Sequence, residues 1–248
     1  MASILDRYGI KEVADVTFYK LVNGQPTIPV LYLDTLKVST LEQTAENTSA
    51  RGGKGNPELI MWDYGKEITV TLEDALFSAK SMAIMFGSVD ADGDQVIGEV
   101  TSIKKTILVD ENATSAPTKF KVNGNEYEIP EGAKYYKADG TEAGASGVFA
   151  TGAAYCVFDW TVAGSEITIS SETFPGTYYV TGDTYARSEK DGTDEFFQFI
   201  IPKAKVLSEV TLTMEAEGDP STFSMNLKVL RPADKEMMKL VKYNIPSE

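Results

Sequence analysis

The chain has 248 residues, a formal charge of −14, no histidine and one cysteine. Without histidine there is no Ser-His-Asp or Cys-His relay, no His-ligated zinc and no imidazole proton shuttle, and the single thiol, Cys156, closes no internal disulfide, so folding does not depend on an oxidising compartment. The acidic balance works against a nucleic-acid grip, which needs clustered Lys and Arg, while 42% hydrophobic and 24% charged residues fit a folded globular protein.

The first eight residues turn polar at Asp6 and lack the basic flank and apolar stretch of a targeting signal. No run approaches the ~18 apolar residues of a membrane span. Val13 to Lys20 and Pro29 to Val38 read as strands bounded by Asn23-Gly24 and prolines, with Val30, Tyr32, Leu36 and Val38 on one face and Asp34 interrupting it. Leu41 to Pro57 is polar, Gly-rich and without period, and it exceeds the ~12–15 residues at which a structureless loop signals function or disorder. Leu59 to Thr71 returns to strand texture, with Ile68 and Val70 alternating against Glu67 and Thr69. Leu72, Ala75, Leu76, Ala79, Ala83 and Phe86 then recur at helical spacing, so a helix is expected from an N-cap at Thr71 to a stop at Gly87.

Ser88 to Pro175 is the most acidic stretch, with a formal charge of −8 against −3 on either flank. Its segments are short and β-like, with turns expected at Asn123-Gly124, Asp139-Gly140 and Ala163-Gly164 and a run of small residues from Ala143 to Ala154. Long strands resume at Thr177 to Arg187, Phe196 to Ile201, Val210 to Glu217 and Ser221 to Arg231, the last two joined by Gly218-Asp219-Pro220. Pro232 opens a short expected helix from Asp234 to Tyr243. The chain is therefore mainly β. A discontinuous core spans residues 1–102 and 176–248, and an inserted acidic β-rich subdomain spans 103–175.

Each chemical motif has a plainer explanation. Asp90, Asp92 and Asp94 occupy the first, third and fifth places of a calcium loop, but Gln95 replaces the turn glycine and Thr101 the bidentate glutamate. An acidic turn fits better. Glu215 and Glu217 would lie about 7 Å apart on one strand face, as in a glycosidase pair, yet no cleft with sugar-stacking aromatics accompanies them. Gly52-Gly-Lys-Gly-Asn56 lacks the spacing and the hydroxyl residue of a phosphate loop. Trp62 and Trp160 read as core or interface aromatics, and Cys156 as a buried small hydrophobe. The chain is read as no enzyme, with no cofactor and no metal.

The stretch TLEQTAENTSARGGKGNPELIMWDYGKEITVTLEDALFS, with the later TYYVTGDTYARSEKDG, FFQFIIPKAKV and TLTMEAEGDPSTFSMNLKVLRP, resembles the major tail tube proteins of long-tailed bacteriophages. The likeness covers residues 11–102 and 176–245. It implies a β-sandwich or barrel-like tail tube fold with one flanking α-helix, a long inter-strand loop and the acidic middle as an inserted elaboration on the outside. It further implies a homo-oligomer of hexameric rings stacked into a tube in the virion tail, assembled in the host cytoplasm. Its partners would be a tail sheath and baseplate or terminator proteins, and viral DNA would pass through the pore without specific binding. The loop that reaches a neighbour maps onto Leu41, Glu42, Thr44, Asn47, Arg51, Lys54 and Asn56, where Arg51 and Lys54 can meet an acidic surface. Pore-lining candidates are Glu67, Glu215 and Glu217, whose charge would keep phosphates from sticking. The alternative is a β-rich phage decoration or receptor- and glycan-binding module.

Overall fold

The computed structural model describes residues 7–90, 94–144, 147–210, 212 and 222–243. The chain divides into two compact units, Met1–Ile97 with Ile167–Glu248, and Gly98–Glu166. It is mainly β, with antiparallel pairing throughout the sheets of both units.

The first unit contains β1 (Tyr8–Ile10), β2 (Asp15–Val22), β3 (Gln25–Leu33), β4 (Leu36–Arg51), β5 (Glu58–Asp74) and the helix α1 (Ala79–Phe86). The second contains β6 (Gly98–Leu108), β7 (Lys119–Val122), β8 (Asn125–Glu128), β9 (Lys134–Tyr136) and β10 (Tyr155–Glu166). The chain then returns to the first with β11 (Thr177–Ser188), β12 (Asp194–Val206), β13 (Phe223–Val229) and β14 (Lys239–Tyr243).

In the first unit the strands run in the order β3-β2-β11-β12-β13-β5-β4, with β1 added to β11 and β14 to β12. The outermost strands β3 and β4 do not pair among the described residues, so the sheet stays open and is no closed barrel. Strand β12 is the corner. One side pairs with β11; the other meets β14 through Phe196 to Ile200 and β13 through Ala204 to Val206. Period-2 alternation turns Val16, Phe18, Val70, Leu72, Val180, Ile201 and Leu227 inward, where Ile84 of α1 joins them. Full burial of each large side chain contributes about 1.5–3 kcal/mol, which is why this pattern fixes which face looks inward.

In the second unit β10 pairs with β6 on one side and β9 on the other, and β7 and β8 form a separate hairpin. Phe120, Tyr135, Cys156 and Phe158 form its core, with Trp160 packed against Phe120 at 5.1 Å between ring centroids. Its two ends are cross-strand partners, Gly98 opposite Glu166.

Asn23-Gly24 and Asn123-Gly124 are the two-residue turns of the β2–β3 and β7–β8 hairpins, with all four residues at positive φ, the geometry whose twist suits paired strands. Several expectations need correction. Leu41 to Arg51 is no loop but continuous strand, leaving only Gly52 to Pro57 as a turn. Its Thr, Ser, Glu and Asn side chains form a ribbon wet on both faces, which has no apolar alternation to read. The helix does not start at Thr71. Leu72 and Asp74 continue the inward alternation of β5, and the helix begins after Ser78, whose hydroxyl accepts the Ser81 N–H while Ser81 Oγ accepts the Ser78 N–H. Asp234 to Tyr243 is no helix. Met237 and Met238 pack on the core and Lys239–Tyr243 fill the edge of β12 that β13 leaves unpaired. Ala163-Gly164 is a register irregularity inside β10 instead of a turn. Most of the expected strand Val210 to Glu217, and the turn after it, lie outside the described residues.

Candidate assembly surfaces

Strands β4 and β5 stay paired from Leu36 opposite Asp74 to Arg51 opposite Glu58. Only their first part has a core beneath it. From Glu42 on β4 and back to Glu67 on β5 no side chain is buried, so the two strands form a free arm. At ~3.3 Å per residue, Glu42 to Arg51 projects roughly 30 Å. The tip is a compact turn in which Gly52 N–H donates to Pro57 O and Asn56 N–H donates to Gly53 O, with Gly53, Gly55 and Asn56 at positive φ.

The arm carries its apolar residues in the open. Leu59, Ile60, Met61, Trp62 and Tyr64 are all more than half exposed, with Trp62 at 52% and Leu59 at 63%. A bulge arranges them. Between Thr44 opposite Glu67 and Glu46 opposite Tyr64, β4 spends one residue and β5 two, and Gly65 takes the extra step at φ 63°. Strict alternation from Ile68 would give Tyr64 and Trp62 the inward parity. The bulge resets it, so Ile60, Trp62 and Tyr64 share the face of Glu67, beside Ala50, Thr48 and Glu46.

The sequence-derived residues fall along this arm. Leu41, Glu42 and Thr44 pair with Val70, Thr69 and Glu67 at its root, and Asn47 faces Asp63 midway. Arg51 pairs with Glu58 at 3.4 Å, and Lys54 and Asn56 sit in the turn. Sequence reasoning missed the apolar residues themselves, although LIMW is an unalternated apolar run opposite a polar strand. Trp62 is no core residue.

Glu67 lies on the outward face of β5, 2.9 Å from Lys228. That face continues through Thr69, Thr71 and Glu73 to Ser224 and Asn226 of β13, with the Thr71 hydroxyl donating to Asn226 Oδ1 at 3.0 Å. Between Glu67 and Glu73, and at Ser224 and Asn226, it contains no aromatic residue; Trp62 and Tyr64 share its parity only beyond the bulge at Gly65. Glu215 and Glu217 lie outside the described residues.

The outward face of the β2-β11-β12-β14 sheet has a different chemistry. Tyr185, Phe196 and Tyr243 are successive cross-strand partners, and their rings form a row with centroids 5.1 and 5.4 Å apart. One row further in, Asp15 stands opposite Asp183. The Tyr32 hydroxyl donates to Asp15 at 3.4 Å and the Tyr243 hydroxyl to Asp183 at 3.1 Å, while Gln198 Nε2 donates to both Asp183 oxygens. The charge of Asp15 raises the Tyr32 hydroxyl above its ordinary pKa; for Tyr243 partial burial does so first and Asp183 second.

The described part of the Asp90–Asp94 motif is taken up by local contacts. Asp94 is engaged by Lys20 at 2.8 Å, and Asp90 Oδ1 accepts the Asp94 N–H; Asp92 lies outside the described residues. Among the described residues no group of three or more Asp, Glu or Cys is placed to hold a metal ion, and no helix is long and apolar enough to cross a membrane.

The YomU/Tube protein family matches residues 8–242, and the chain belongs to that family. No curated protein matches the chain.

Proposed function

We propose that this member of the YomU/Tube family is a structural subunit that polymerises with copies of itself into the tail tube of a bacteriophage, through which the genome is delivered. The observation that carries this reading is the arm. Five large apolar side chains held in water on a rigid two-stranded ribbon have no role in a monomer, whereas docked on a second copy they exclude that surface from solvent. Arm and body are different surfaces of one chain, so the contact is head-to-tail, and such contacts close into rings or continue into filaments. Six copies to a ring and rings stacked along an axis follow from the resemblance to tail tube proteins. The outward face of β5 and β13 over the core, from Glu67 to Glu73, is polar, which suits the wall of a channel that DNA must pass without sticking. By the same resemblance the second unit is an elaboration of the tube subunit.

The test is negative-stain electron microscopy with sedimentation velocity on the full chain and on Ile60→Lys/Trp62→Lys. Hollow tubes or stacked rings are expected for the parent and a folded monomer for the variant. Equal polymerisation of both would remove the arm from the assembly, and a parent that never assembles and instead binds glycans or capsids would favour a binding module.

A further inference from the structure

The row of Tyr185, Phe196 and Tyr243 is as unusual for a free surface as the arm is. Tyr185 is 49% exposed and borders a small pocket with Lys11, Glu12 and Arg187. Aromatic residues concentrate at the buried centres of protein contacts because they combine large apolar area, few rotors and a polar rim. On one side of the row, towards Asp15, the face is anionic, while Arg187 and Lys11 flank Tyr185 on the other. Asp15 and Asp183 are direct cross-strand neighbours, a like-charge juxtaposition that is unfavourable in isolation and relieved by an incoming cation. Asp34 adds a third carboxylate near enough to act on Tyr32.

We infer that this aromatic–carboxylate face is the receptor for the arm of a second copy of the chain. The inference rests on the tube reading and assigns the surface that reading leaves open. The arm supplies apolar and aromatic side chains to meet the rings and two cations to meet the carboxylates, on a ribbon that also carries Glu42, Glu46, Glu58 and Asp63. Ile60, Trp62 and Tyr64 stand together on one of its faces, and Lys54 and Lys66 form no ion pair among the described residues. Its reach also fits. From Tyr32 on β3 across β2, β11 and β12 to Tyr243 on β14 is four spacings of ~4.8 Å, about 19 Å, and the arm projects roughly 30 Å. Over the core, from Glu67 to Glu73, the β5–β13 face offers no rings for stacking, and its Glu67 is already paired with Lys228. The two outward faces thereby take separate tasks, one joining subunits and one left to the channel.

A head-to-tail contact of this kind can be tested by complementation. One variant carries the arm lesion, Ile60→Lys/Trp62→Lys; the other carries the face lesion, Tyr185→Lys/Tyr243→Lys. All four positions are exposed, and circular dichroism and thermal melting verify folding of each. The parent is expected to assemble, each variant alone to sediment as a monomer, and their equimolar mixture to form a two-chain complex, since the intact arm of one meets the intact face of the other and growth stops there. A face variant that polymerises like the parent, or a mixture that stays monomeric, overturns the assignment while leaving the tube reading intact. A parent that does not assemble, with no two-chain complex in the mixture, overturns both.

Discussion

The ring of Phe199 lies across the backbone of its cross-strand partner Gly182, so closely that a Cβ added at Gly182 would fall 2.1 Å from Phe199 Cζ. The glycine is there for space: its Cα forms the floor on which the ring rests inside the core. Gly182→Ala is expected to destabilise the first unit by about 1–3 kcal/mol through overpacking. Phe199→Leu should recover part of that loss in the alanine background, giving a non-additive cycle in urea melts. Strictly additive effects would mean that the two residues do not share the space.

Tyr178 carries the opposite defect. Its hydroxyl oxygen is buried against Gly176 and makes no well-formed hydrogen bond among the described residues, only a weak backbone interaction with Gly176. A polar group left unsatisfied in this way costs about 1–3 kcal/mol, so Tyr178→Phe should stabilise the protein. A gain of about 1 kcal/mol appears as a rise in Tm of roughly 2–4 °C for a chain of this size.

The same burial, with the charge of Asp94 second, pushes the Tyr178 pKa from 10 up to about 12. The folded state therefore holds its proton where the unfolded chain releases it. The protonated-state contribution is complete below the unfolded value and is lost as the pH rises through the folded one. Stability should fall more steeply above pH 10 in the parent than in Tyr178→Phe; identical alkaline slopes would contradict this environment.

Arg187 grips Asp194 with two hydrogen bonds of 2.7 Å and holds its carboxyl below the usual carboxylate range. Stability from this pair is present above the ordinary carboxylate pKa and is lost as the pH falls through the depressed one. Carboxyl chemical shifts followed through an acid titration should place Asp194 below the ordinary value near 3.9 and return it there in Arg187→Ala. Both side chains are well solvated, so the thermal effect should be small.

Folding and assembly should separate at two leucines. Leu227 is wholly buried, and Leu227→Ala should cost about 2–5 kcal/mol of stability. Leu59 stands on the arm; Leu59→Ala should leave the monomer melt within about 0.5 kcal/mol while weakening polymerisation. A shared loss of stability would place Leu59 in the fold instead of at the contact.

The β character and the helix were legible because burial imposes a period. Ile68, Val70 and Leu72 alternate since only one face of β5 meets the core, and the continuation of that alternation to Asp74, together with the Ser78–Ser81 cap, corrects the helix start. Leu59 to Thr71, which includes the β5 half of the arm, reads as strand and is one, whereas the β4 half was not legible as a strand because no core lies under it. A ribbon wet on both faces obeys no apolar period, and Gly65 resets the parity on which any count would rely. The aromatic face is likewise a product of register. Tyr243 is far from Tyr185 and Phe196 in the chain, and only the pairing of β11, β12 and β14 lines the three up. Lys239–Tyr243 read as helix from local signals, and the vacant edge of β12 overrides them.

The opposition of Gly98 and Glu166 has a consequence for how such a subunit can vary. The second unit begins and ends one strand spacing apart, about 5 Å, so its length is hidden from the chain on either side. The position works as a socket: any polypeptide whose ends meet at that spacing can be grafted there, large or small, without altering the distance the first unit has to span. A lattice of such subunits would display its outgrowths at a repeat set by the lattice and not by the outgrowth, giving one repeat unit a changeable coat.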